Sequence, residues 1–221
     1  MNKKCVWIMV ISILIALVTA IIVRTSIIDI SDVKAADLEK FRVMNGGSIR
    51  EINLSLSDLI NDSDVIVRGL ALNERMYLHE ATLTAFKVNT VYKGSQDIVG
   101  TNIYIFEPSS FNFEYKFFRV YDGYSLMKDG NEYILFLKKW RYTEYLDYNP
   151  YYKNKDIYIL AHNSGIDKYN VNANSFSEIM SKDKKYYGQI SQYDFYVYDK
   201  NEMDKYIKIK NEVLNYFMNT K

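Results

Sequence analysis

The chain has 221 residues, 48% of them apolar and 25% charged, which is enough to bury the core of one ordinary domain with an appendage. Its 28 basic and 27 acidic side chains nearly cancel, so it lacks the basic surplus with which nucleic-acid binders meet phosphates. Two prolines exclude a proline-rich stalk.

Residues 5–23 read CVWIMVISILIALVTAIIV, nineteen positions without a charge. As a helix this run spans about 28 Å, close to the ~30 Å hydrocarbon core of a bilayer. A cleavable signal has a shorter apolar region, about 7–15 residues. Val18-Thr19-Ala20 offers a cleavage-like site, but the apolar run continues through Ile21, Ile22 and Val23. Residues 1–24 are therefore read as an uncleaved transmembrane anchor, with secretion after cleavage near Ala20 as the alternative. Lys3 and Lys4 precede the run, whereas Asp29 and Asp32 follow Arg24. The positive-inside rule then leaves the N-terminus cytoplasmic and the main domain extracytoplasmic. Setting aside Lys3, Lys4 and Arg24 leaves 25 basic against 27 acidic residues in that domain, and nucleic acid is not an expected partner. Cys5 is the only cysteine. It precedes the apolar run, which is the wrong order for a lipobox, and the outer domain must be stable without disulfides.

Residues 25–54 are expected to be a juxtamembrane connector. Ile30, Val33, Leu38, Phe41 and Met44 recur at spacings of three to five, which predicts an amphipathic helix broken at Gly46-Gly47. Residues 55–221 form the extracytoplasmic domain. It opens with a short helix over Leu56–Asn61, capped by Ser55 with Asp58 three residues on.

Val65, Val67, Gly69 and Ala71 alternate with Ile66, Arg68, Leu70 and Leu72, a strand covered on both faces. Gly69 within it marks either a barrel corner or a close backbone approach. In the next strand, 79–92, Leu83 and Ala85 keep one phase while Phe86 and Val88 keep the other, which predicts a β-bulge. Further strands are expected around Ile103 and Ile105, at Tyr133–Leu137, at Ile157–Ala161 and at Phe195–Tyr198. Short, curled, mostly antiparallel strands in this number predict a small barrel. A final helix over Glu202–Met218 carries Met203, Ile207, Val213, Leu214 and Phe217 as its packing stripe. The fold class is thus mainly β, an OB-like antiparallel barrel with a C-terminal packing helix, preceded by one transmembrane helix.

The succession SDVIVRGLAL, FKVNTVYKG, an Ile-rich strand and DGNEYILFL resembles the netrin-like module, the oligonucleotide/oligosaccharide-type barrel shared with tissue inhibitors of metalloproteinases. The resemblance covers roughly 56–161 and rests on hydrophobic pattern, Lys93-Gly94 and Gly130-x-x-Tyr133. In the animal inhibitors an N-terminal cysteine pair reaches the protease zinc. The outer domain here has no cysteine, so that device is not carried over.

His79 and His162 are the only histidines, and neither lies in a metal-binding spacing. No phosphate loop, dinucleotide fingerprint or nucleophile elbow is present. Asp62 with Asp64, and Asp122 near Asp129, do not fit a calcium loop. No enzymatic activity and no cofactor are expected. The distinctive stretch is RYTEYLDYNPYYKNKDIY, 141–158, in the connection between two barrel strands, where such barrels bind their ligands. Its Tyr142, Tyr145, Tyr148, Tyr151 and Tyr152 offer flat rings with polar tips to a partner, or else cover the barrel as strand residues. The aromatic loop 109–124 is a second candidate that reads equally well as an extra strand. The expectation is a membrane-anchored binding module for another envelope protein, or for a glycan. An envelope enzyme built from scattered acids and His162, and a purely structural ectodomain, are the alternatives.

Overall fold

The computed structural model of the chain describes residues 3–26, 35–45, 53–78, 81–140, 152–172, 178–180 and 183–219. The chain divides into two units, 1–34 and 35–221. The first is helix α1 (Lys3–Ser26), within which Lys4–Arg24 is long and apolar enough to cross a membrane.

The second unit begins with a single turn, α2 (Ala35–Leu38), and strand β1 (Arg42–Asn45). The predicted connector helix is therefore replaced in its described part by a turn and an extended segment. Tertiary pairing decides the matter. Leu38 and Phe41 are buried, and β1 pairs in parallel with Phe117–Val120, labelled β6 below. Helix α3 (Leu56–Asp62) forms where expected. The Ser55 backbone N–H donates to Asp58 Oδ2 at 2.8 Å and the Asp58 N–H donates to Ser55 Oγ at 3.2 Å, a closed capping box.

Five strands close the barrel: β2 (Val65–Tyr77), β3 (Thr82–Lys93), β4 (Asn102–Glu107), and then, beyond the hairpin β5 (Ser110–Asn112) and β6 (Phe117–Val120), β7 (Glu132–Lys139) and β8 (Ile157–Leu160). Their order around the barrel is β2-β3-β4-β8-β7, and pairing of β2 with β7 completes the circle. All contacts are antiparallel except β4 with β8. This is an OB-like barrel.

The anticipated irregularity between the first two strands is present and is shared between them. Ala71 pairs with Phe86 but Arg75 pairs with Thr84, so three residues of β2 face one of β3. Asn89 and Tyr92 of β3 are skipped in turn, and these bulges bend the pair into the barrel wall. Gly69 lies where two backbones nearly touch. A Cβ there would overlap the Lys87 carbonyl oxygen and stand 2.7 Å from the Phe86 ring, so glycine is required.

Tyr133–Leu137 is fully buried because both of its faces are covered. Leu135 and Leu137 pair with Val67 and Val65 across the barrel wall, while Ile134 and Phe136 join a cluster beneath the C-terminal helix. Strand β9 (Lys168–Asn170) extends the same sheet along β7. The predicted sixth strand is β11 (Phe195–Val197), which lies outside the barrel and pairs in parallel with β10 (Glu178–Met180). Helix α4 (Lys200–Asn219) is started by Asp199, whose Oδ1 accepts the Glu202 N–H at 3.0 Å.

The stripe of α4 differs in part from expectation. Met203, Val213 and Phe217 are buried, but Tyr206 and Ile209 join them, and Ile207 is 39% exposed. The Tyr206 ring stacks on Phe195 at 3.8 Å, and this stack sets the rotation of the helix. The candidate loop 109–124 is the hairpin β5–β6. It seals one side of the barrel with an aromatic cluster in which Phe111 lies 5.4 Å from both Phe41 and Tyr77 and 4.8 Å from Tyr187.

Candidate functional site

Of the five candidate tyrosines, Tyr142, Tyr145, Tyr148 and Tyr151 lie outside the described residues. Tyr152 is described, and it packs. Its ring centroid is 6.1 Å from both Phe106 and Trp140, and Phe106 and Trp140 meet edge to face at 4.5 Å. Strand alternation places Phe106 outside the barrel, since Ile103, Ile105 and Glu107 point inward. Trp140 and Tyr152, which flank segment 141–151, therefore share one outward ring of β4. Beside them Lys155 Nζ stands 3.7 Å over the Tyr104 ring and 3.4 Å from Glu74, whose Oε1 accepts the Tyr104 hydroxyl at 3.1 Å.

The acids and His162 of the alternative reading do come together. His162 Nδ1 is 2.7 Å from Asp167 Oδ1, and Nε2 is 3.2 Å from Asp62 Oδ2 at the end of α3. Asp167 is fully buried and also accepts the backbone N–H groups of His162 at 2.8 Å and Ser164 at 3.3 Å. Burial raises the Asp167 pKa, and the bond from His162 opposes that rise. The two carboxylates occupy opposite nitrogens of one ring, so the three groups cannot converge on a metal ion. The arrangement clasps α3 to the turn after β8. Of the other acids noted in the sequence, Asp129 lies 2.9 Å from Arg75 Nη2. His79 lies outside the described residues.

Sequence reasoning missed a buried polar network at the end of the barrel. Glu107, fully buried, accepts from the Thr84 hydroxyl through Oε1 and, through Oε2, from the Tyr124 hydroxyl and the Met127 N–H, both at 2.7 Å. Arg75 stands 3.9 Å from the same carboxylate. Asp194 accepts from Tyr133 at 2.9 Å, from Asn170 at 2.9 Å and from Lys128 Nζ at 3.3 Å. Lys168, also fully buried, donates to the Ser125 carbonyl and lies 4.1 Å over the Tyr124 ring. Burial pulls the Lys168 pKa down to about 8, against the attraction of Asp194 and Glu107. Burial, followed by the Asp194 charge, pushes the Tyr133 hydroxyl up. These carboxylates spend their lone pairs on internal donors, which makes the network a means of fixing the barrel end. One signal was readable in advance: Glu107 occupies the inward phase set by Ile103 and Ile105. Nothing local marks Lys168 or Asp194.

No protein-family model matches the chain, and no curated protein matches it significantly.

Proposed function

We propose that the chain is a membrane-anchored binding protein whose extracytoplasmic barrel captures another envelope protein through segment 141–151. The observation that carries this reading is the seating of Trp140 and Tyr152 together on Phe106. Two flanks seated on one ring fix the points between which the tyrosine-bearing segment meets a partner, and preorganised ends favour binding. Tyr142, Tyr145, Tyr148 and Tyr151 are the contacting side chains in this reading, and Tyr152 serves as a stem. The barrel's strand order and its C-terminal helix support assigning it to the netrin-like modules, without the cysteine-based inhibitory device. The anchor spans the membrane with Lys3 and Lys4 on the cytoplasmic side. No catalytic step and no cofactor belong to this reading.

The test is crosslinked capture with the full-length chain in its native membrane, compared with a Tyr145→Ala, Tyr148→Ala, Tyr151→Ala variant that keeps Tyr152. Recovery of one partner in near-equal amount, lost in the triple variant, is the expected result. Equal recovery by both chains removes the segment from the interface. Recovery of no protein by the parent chain turns the reading toward a glycan.

A further inference from the structure

A cleft of about 300 Å³ opens on the outside of the barrel, lined by Ala81, Phe106, Pro108, Arg119, Tyr121 and Asn163, with Glu107 behind them. Arg119 comes from β6, Phe106 from β4, and Asn163 from the turn after β8. The frame around it is held. The Tyr121 N–H donates to Ser109 Oγ at 3.2 Å, and Ser109 Oγ donates to the Tyr124 carbonyl at 2.6 Å. Asn163 is held in the left-handed region at φ 55, and its N–H donates to the Leu160 carbonyl at 3.2 Å.

Arg119 is half-buried in this frame and makes no ion pair among the described residues. Its guanidinium carbon rests 5.8 Å over the Phe117 ring. The nearby Glu107 does not satisfy it, because that carboxylate is turned inward and occupied by Thr84, Tyr124 and Met127. Among the described residues no carboxylate faces the Arg119 fork, which leaves it open to an anionic ligand.

We propose that this cleft binds a carboxylate, presented by a small free acid or by the end of a peptide. The planar fork of Arg119 matches a carboxylate with two parallel hydrogen bonds. The Tyr121 hydroxyl and the Asn163 amide supply further polar contacts, and Phe106 and Pro108 form an apolar wall for the body of the ligand. Among the described residues the cleft offers one cation with a buried carboxylate behind it, which suits one negative charge and disfavours a dianion such as phosphate. The volume is at the lower end of that of ligand sites, which restricts the occupant to about one or two residues or a single ring. Phe106 also seats Trp140 and Tyr152, so the cleft adjoins the stems of segment 141–151, but the inference stands without a role for that segment.

Calorimetric titration of the full-length chain in detergent micelles tests this with N-acetylphenylalanine and its amide, which differ only in the carboxylate. The acid should bind at least about tenfold more tightly than the amide, and Arg119→Gln should lose about tenfold or more, as expected for one charge-assisted contact. Asn163→Gly removes the amide while suiting the left-handed backbone, and it should weaken the acid alone. Acetate binding as tightly as acetyl-Gly-Gly-Phe identifies a free acid as the ligand type, whereas a gain with the peptide identifies a chain end. Both results support a carboxylate site. Equal binding of acid and amide, or no acid binding tighter than about 10 mM, overturns it, as does undiminished binding by folded Arg119→Gln. Should that variant not fold, the acid–amide pair and Asn163→Gly decide. The tyrosine triple variant should keep this binding, so failure of the segment reading and failure of the cleft are separable.

Discussion

At the scale of the residue, the groups with most consequence are polar and buried. Lys168 has its folded pKa depressed from 10.5 to about 8, chiefly by burial. Below pH 8 both folded and unfolded chains carry the proton, and the penalty for burying the charge is fully present. Above pH 8 the folded state releases its proton first, so the penalty is relieved and stability rises with pH. Unfolding free energies from urea denaturation at pH 7.5, 8.5 and 9.5 should increase through this one group by up to about 1.4 kcal/mol per pH unit. Lys168→Met should lack the increase. The interval stops short of pH 10, above which buried tyrosines such as Tyr133 and Tyr124, whose pKa values are raised, act in the opposite sense. Tyr169 offers a second test. Its hydroxyl is buried and bonded to nothing among the described residues, so it bears a desolvation cost without a compensating bond. Tyr169→Phe should raise stability by about 1 kcal/mol in the same denaturation assay.

At the scale of the element, α4 shows what a periodic pattern does and does not reveal. Its existence and the burial of Met203, Val213 and Phe217 follow from local spacing. Its rotation depends on where the helix lands, and the landing site is made of Phe195 and Tyr169, the former stacked at 3.8 Å and the latter at 5.7 Å from Tyr206. Tyr206→Ala should therefore cost about 3–5 kcal/mol, as for a large core aromatic. Ile207→Ala should cost less than about 1 kcal/mol, because that side chain is 39% exposed. Chemical denaturation of the pair checks the assignment, and a reversed ranking would return the stripe to Ile207. The strands were legible for the same local reason: Val65–Ala71 and Tyr133–Leu137 announce double-sided burial by having no polar phase. Segment 35–45 was not, since a parallel partner more than seventy residues away converts an apparent helical spacing into strand. Beyond the inward phase of Glu107, the polar network was illegible for that reason too, its members converging from β2, β3, β4, β7, β9, segment 124–128 and the turn before β11.

At the scale of the whole molecule, barrel closure depends on contacts distant in sequence. Residues 65–70 pair with 132–137, and 104–106 pair with 157–159. Neither half of the barrel wall has a closed hydrogen-bond ladder without the other. Unfolding of unit 35–221 should accordingly be one cooperative event. In a Trp7→Phe chain, fluorescence of Trp140 and near-ultraviolet dichroism of the tyrosines should give coincident urea transitions. Separated midpoints would show that the hairpin β5–β6 and its aromatic cluster melt apart from the barrel. Folding should fall in the slow range of non-local β topologies, milliseconds to seconds.

The placement of β8 between β4 and β7 has a further consequence for a chain made from its N-terminus. When β7 has left the ribosome, it can already pair with β2, but the slot beside β4 stays vacant until residues 157–160 emerge. At about 5–20 residues per second, the intervening stretch takes about 1–3 s to synthesise. For that interval the nascent domain displays two unpaired strand edges, the condition under which neighbouring chains join one another. Each residue inserted between β7 and β8 would prolong this exposure, so biogenesis favours a short connection there.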